Sequence, residues 1–236
     1  FEDQIASIGT LLPNLNADGL KKLGDDILNI ARKTSTPIDQ LTKSFYDLIS
    51  AGETKESSLS MIKSIDKLSI TGLGSLTEAT DIQLAAMRNF KSSFNSSDEA
   101  ANALFKTVKY GVTTVQKLSE SFSANAGFAG DLGITGQEFL SSIAAITTSK
   151  MPTSQAEIGI GSMANAIAKT TEHRNKILFS IFKKIGVNSG QELIKKNGGL
   201  LPALMKIKEV AKKAGINMQS VFGEKRASNA FMKLTS

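Results

Sequence analysis

Residues 121–168 carry four charged side chains in 48 positions: Asp131, Glu138, Lys150 and Glu157. A stretch so poor in charge cannot face water on every side, so the remainder of the chain has to enclose it. Its apolar residues say what kind of element is enclosed. Phe139, Leu140, Ile143, Ala144 and Ile146 recur at the spacing of one helix face, and Ile158, Met163 and Ile167 do the same. The uncharged runs 139–149 and 158–168 fall well short of the roughly 20 residues that span a bilayer. The sequence therefore predicts buried helices at the centre of a globular fold, not a membrane span.

The flanking segments carry helix punctuation. Ser75…Glu78, Ser96…Glu99, Thr113…Gln116, Thr135…Glu138, Ser154…Glu157 and Ser189…Glu192 all match the capping box, in which a hydroxyl and a carboxylate or amide satisfy orphan N–H groups reciprocally. Thr36, Pro37 and Asp39 read as a further start, with Thr36 as the N-cap. Glycines 52, 111, 186 and 215 read as stops. Ahead of these lie a short amphipathic start at 1–12, with Phe1, Ile5 and Ile8 on one side, and a helix near 18–33 with Leu20, Leu23, Ile27 and Ile30 inward. Leu41, Phe45, Leu48 and Ile49 continue the next helix to Gly52. No segment alternates with period two. The expected fold is all-α, with about ten or eleven short helices in packed hairpins and essentially no sheet. The links 71–75 and 170–174 mark candidate subdomains 1–72, 73–172 and 173–236.

Little in the chain suggests chemistry. With no cysteine there is no disulfide, thiolate zinc site or cysteine nucleophile, and with one histidine a histidine-based metal site or dyad has too few members. That histidine, His173, sits in a polar Thr-Glu-His-Arg-Asn junction and reads as a solvated turn. Gly72-Leu73-Gly74 and Gly159-Ile160-Gly161 complete no phosphate-loop pattern; Gly159 and Gly161 read as a close helix approach. Glu138 and Glu157 could pair as glycosidase carboxylates, but both hold the third position of a capping box, which already accounts for them. The sequence thus predicts no catalytic, cofactor-binding or metal-binding residues, no cofactor and no enzyme. It opens on Phe1 rather than methionine, which reads as a fragment of a longer chain.

Charge is unevenly placed. Residues 171–236 hold thirteen Lys or Arg against four acids, +9, and the remainder fifteen against eighteen, −3, which sum to the net +6. The pairs Lys183-Lys184, Lys195-Lys196 and Lys212-Lys213 are candidate polyanion contacts; the alternative is that they are solvated helix faces.

Five short motifs occur in order along the chain. They are Phe1-Glu2-Asp3; Leu48-Ile49-Ser50-Ala51-Gly52; Leu104-Phe105 through Gly111 with Thr113-Thr114; Gly133-Ile134-Thr135 with Glu138; and Phe222-Gly223 with Arg226-Ala227 and Asn229-Ala230. Together they cover nearly the whole chain and resemble the core domain of phage tail tape-measure proteins. The match departs at 123–128, where the family often has a proline. The resemblance implies a structural signature at Phe1, Gly52, Phe105, Gly111, Gly133, Thr135, Glu138, Phe222, Gly223, Arg226 and Asn229. It implies that 1–236 is a core domain of a phage, prophage or tailocin tape measure, which sets tail length, scaffolds tube assembly and leaves during genome delivery. The implied partners are tail tube subunits, tail assembly chaperones and tail-tip or baseplate proteins, with a few copies together as a homo-oligomer. The implied location is the virion, in the tail tube lumen, after assembly in the bacterial cytoplasm. Residues 174–233 would then face DNA or an acidic lumen. Two alternatives stand beside this reading: a membrane-active helical module making transient membrane contact, and, less favoured by the residues, a peptidoglycan hydrolase segment.

Overall fold

The computed structural model describes residues 1–34 and 36–236. The first three helices, α1 (Glu2–Leu11), α2 (Ala17–Ala31) and α3 (Ile38–Ser50), pack on one another. Next, α4 (Lys55–Thr71), α5 (Leu76–Asn89) and α6 (Ser97–Tyr110) form a second mutually packed group, which α3 joins. The charge-poor stretch becomes α8 (Phe122–Leu132), α9 (Gly136–Thr148) and α10 (Thr153–Ala168), entered through the five-residue α7 (Val115–Ser119). The basic end follows as α11 (Lys176–Ile185), α12 (Gly190–Asn197) and α13 (Leu200–Lys213), then a short 3₁₀ turn (Met218–Ser220) and α14 (Lys225–Leu234). No strand occurs among the described residues, as expected.

Among the described residues there are fourteen α-helices, more than the predicted ten or eleven. Part of the surplus comes from breaks too short to interrupt an apolar helix period. Two residues separate α7 from α8, and only Gly198 and Gly199, at φ +76° and +133°, separate α12 from α13.

The stretch expected to be enclosed is enclosed. α10 packs against α8 on one side and α14 on another, with α9 also in contact. Ala156, Ile160, Met163, Ala164 and Ile167 have no exposed surface. The two α10 glycines allow the close approach predicted for them. A Cβ at Gly159 would lie 2.9 Å from the Ala230 Cβ and 3.0 Å from the Arg226 carbonyl oxygen, and one at Gly161 would lie 2.6 Å from Asn125 Oδ1. Phe139 meets both Phe90 and Phe122 at 5.5 Å between ring centroids, tying the end of α5 to α8 and α9. No helix is long and apolar enough to cross a membrane, among the described residues.

Capping follows the prediction in part. Ser75–Glu78 and Thr135–Glu138 form complete boxes. Ser96 and Ser189 cap their helices, but Glu99 and Glu192 reach one residue further back, to the N–H groups of Asn95 (2.9 Å) and Asn188 (2.8 Å). Thr113 is not a cap. Thr114 accepts from the Lys117 N–H instead, which leaves Thr113 to meet the Thr153 hydroxyl at 2.7 Å. Thr36 is not a cap either. Pro37 is extended and the helix begins after it, so the Thr36 hydroxyl donates to Asp66 on α4. Extended Pro152 likewise starts α10 at Thr153, two residues before the position a Ser154 cap requires. Two residues turn a helix by about 200°. Glu157 is thereby rotated from the first turn's rim into the core.

Candidate functional site

The three lysine pairs each occupy the last turn of a helix, α11, α12 and α13 in order. Orphan carbonyls gather there and the helix dipole is negative, so cations are favoured whatever else they do. Lys196 shows this use directly, its Nζ donating to the carbonyls of Gly186 (3.1 Å) and Ile185 (3.4 Å) at the end of α11. Lys213 pairs with Glu209 at 2.6 Å, and Lys183 lies 5.2 Å above the Phe179 ring. Because Lys196 reaches the end of α11, Lys183, Lys184, Lys195 and Lys196 share one end of this region. α13 starts two residues after α12 and runs fourteen residues, about 21 Å, so Lys212 and Lys213 lie at its far end. The fold gathers four of the six lysines and separates two.

The signature residues are spread through the fold, and most of them shape backbone. Gly52, Gly133 and Gly223 hold φ of +91°, +85° and +69°, ending α3, ending α8 and preceding α14. A Cβ at Gly111 would sit 2.7 Å from the Thr107 carbonyl oxygen and 3.0 Å from the Ala144 Cα, which fixes the end of α6 against α9. Phe222 is buried edge-on against Phe231, centroids 5.0 Å apart. Phe105 and Asn229 are half-buried, and Phe1 and Arg226 are exposed.

Glu138 does more than its capping box requires. Its Oε2 accepts from the Thr135 N–H (3.0 Å) and hydroxyl (2.9 Å), and its Oε1 accepts from the Leu200 N–H (2.7 Å). One carboxylate therefore closes the first turns of both α9 and α13, joining the charge-poor centre to the basic end. Gly199 makes room for it, since a Cβ there would fall 2.2 Å from Glu138 Oε1.

Glu157, predicted to resemble Glu138, is a different object. It has no exposed surface, its Oε1 has no hydrogen-bond partner, and its Oε2 accepts from the Ser121 hydroxyl alone. Burial pushes its carboxyl up to about 8; the Ser121 hydrogen bond opposes this and nearby Glu120 adds to it. A proton donor with such a pKa suits general acid chemistry, but an enclosed carboxyl is out of a substrate's reach. The nominal carboxylate pair is therefore one helix-joining group and one core group. His173 lies exposed in a turn between α10 and α11, as predicted.

Three basic residues outside the lysine pairs share a cleft of about 530 Å³ between the end of α10, the start of α11 and the Phe222-Gly223 turn: Lys169, Arg174 and Lys176. Reading charge as pairs missed them, because each stands alone in sequence; their clustering on either side of the 170–174 link was the available signal.

A family model described as Phage-related minor tail protein matches residues 20–233. No curated protein and no solved structure matches the chain.

Proposed function

This chain belongs to the phage-related minor tail protein family, and from that membership we propose that it is a folded domain of a tape measure, the protein whose length sets the length of the tail. The family match along 20–233, nearly the full chain, carries the reading. The fold supports one particular place within such a protein. An extended helix gains 1.5 Å per residue and makes a usable ruler. Here the longest helix, α4, has 17 residues, and the helices fold back on one another around a shared core. The domain is thus an anchor or a terminal body, with the measuring length elsewhere in the parent chain. Its partners would be tube subunits, assembly chaperones and tail-tip proteins, with several copies side by side in the tail, assembled in the bacterial cytoplasm and released with the genome.

Tail length measured by electron microscopy tests this. In-frame deletions in the parent gene outside this domain are expected to shorten tails by about 1.5 Å per deleted residue. Tails of unchanged length would remove the ruler reading, and leakage of dye from anionic vesicles exposed to this chain would put a membrane-active module in its place.

A further inference from the structure

Lys169, Arg174 and Lys176 line one concave, mostly polar surface, and none of the three forms an ion pair among the described residues. The opposing charge on that surface is Glu224, which accepts from the Ser162 hydroxyl at 3.4 Å. Asn175 anchors the wall between them, its Nδ2 donating to the Val221 carbonyl (3.0 Å) while its Oδ1 caps α11. All three cations are exposed to solvent. Arg174 and Lys176 differ from the lysines at helix C-termini, whose positions the helix dipole and local carbonyls already explain, whereas Lys169 is itself the C-cap of α10.

We propose that this cleft binds the phosphates of a nucleic-acid backbone. Three positive charges against one carboxylate in a concavity are best met together by a narrow ridge of closely spaced negative charge. A nucleic-acid strand supplies one, with a phosphate about every 3.4 Å of helix rise on each strand and counterions to release on binding. A folded acidic protein would have to raise several carboxylates on one such ridge. A membrane surface is flat on this scale and cannot follow the concavity, and of the exposed large apolar side chains Phe128 lies under Lys169 while Ile70, Leu73 and Val112 lie on other elements. Arg174 adds a planar fork suited to two phosphate oxygens at once. The inference concerns the surface of this chain alone and does not depend on the ruler reading, so tail-length and DNA-binding results can fail separately.

The test is fluorescence anisotropy of a short labelled DNA duplex titrated with the full chain, at salt from about 50 to 200 mM. The Lys169→Ala/Arg174→Ala/Lys176→Ala variant is expected to lose about tenfold or more in affinity at low salt, and its slope of log affinity against log salt to fall by about 2.7, or 0.9 per lost contact. A Lys183→Ala/Lys184→Ala/Lys195→Ala variant, with the same loss of charge, should lose far less. Glu224→Gln should bind more tightly than the parent. Equal losses in the two triple variants would reduce binding to the summed field and overturn the cleft. Absence of duplex binding by the parent chain would overturn it as well, as would tighter, cleft-dependent binding to polyglutamate or to anionic vesicles. Circular dichroism of each variant confirms that its helices are intact.

Discussion

The glutamate that opens α9 lies among hydrogen-bond donors, whereas the one near the start of α10 lies among apolar side chains. Glu138 receives two backbone N–H groups and a hydroxyl from two helix starts; Glu157 receives one hydroxyl and leaves an oxygen unpartnered. Both belong to the same Ser/Thr-x-x-Glu pattern on adjacent helices of the charge-poor centre. What separates them is a two-residue difference in where each helix begins, set at α10 by Pro152. A carboxylate supplied with donors holds a fold together, and the same group moved half a turn into the core works against it whenever it is charged.

The largest test of that contrast is Glu157→Gln. The folded chain holds the Glu157 proton up to about pH 8, while the unfolded chain releases it near 4.5. Between those values the folded state binds more protons, so stability is highest below about pH 4.5 and declines as pH rises through 8. At 1.36 kcal/mol per unit, the decline attributable to this group is about 4–5 kcal/mol. Glutamine keeps the shape and cannot ionise. Urea unfolding should show the variant close to the parent at pH 5 and more stable than it at pH 9 by most of that amount. Parallel pH profiles would break the contrast.

Next in size is Gly199→Ala, which strikes the Glu138 side. It combines φ of +133° with a methyl group directed at Glu138 Oε1, and an expected loss of about 2–3 kcal/mol shows as a lower urea midpoint. Glu138→Gln should cost about 1–2 kcal/mol at pH 7, because an amide nitrogen replaces one acceptor and leaves an N–H of α9 or α13 facing a donor. The same Glu→Gln change would then have opposite signs on adjacent helices. A neutral or stabilising Glu138→Gln would remove the distinction.

Most of the architecture could be read in advance from local rules. Apolar periodicity marked the enclosed centre, and glycine geometry marked the α10 crossings, because each depends on a few neighbouring residues. Facts that depend on register or on distant partners were not legible. A one-residue shift moved the cap from Thr113 to Thr114 and freed Thr113 to meet Thr153, forty positions away. The second role of Glu138 needed Leu200, and the fate of Glu157 needed Ser121. The cleft of Lys169, Arg174 and Lys176 needed the Phe222-Gly223 turn to form its opposite wall. The lysine pairs, conspicuous in sequence, proved to sit where helix ends call for cations.

Ser121→Ala gives the smallest effect and the finest division of the comparison, since it removes the one donor Glu157 has. In the acid range the carboxyl is neutral, and losing a hydrogen bond between neutral groups costs about 0.5–1 kcal/mol. In the alkaline range the hydroxyl is the donor opposing the burial penalty on a charge, so its loss should cost about 1 kcal/mol more, and the pH at which stability falls should move upward. In the Glu157→Gln background no charge forms, and Ser121→Ala should cost the same at pH 5 and pH 9. Urea unfolding of these four chains at the two pH values isolates the hydroxyl from the burial. Equal costs in both backgrounds at both pH values would mean that the hydroxyl does not support the carboxylate, leaving burial alone to distinguish Glu157 from Glu138.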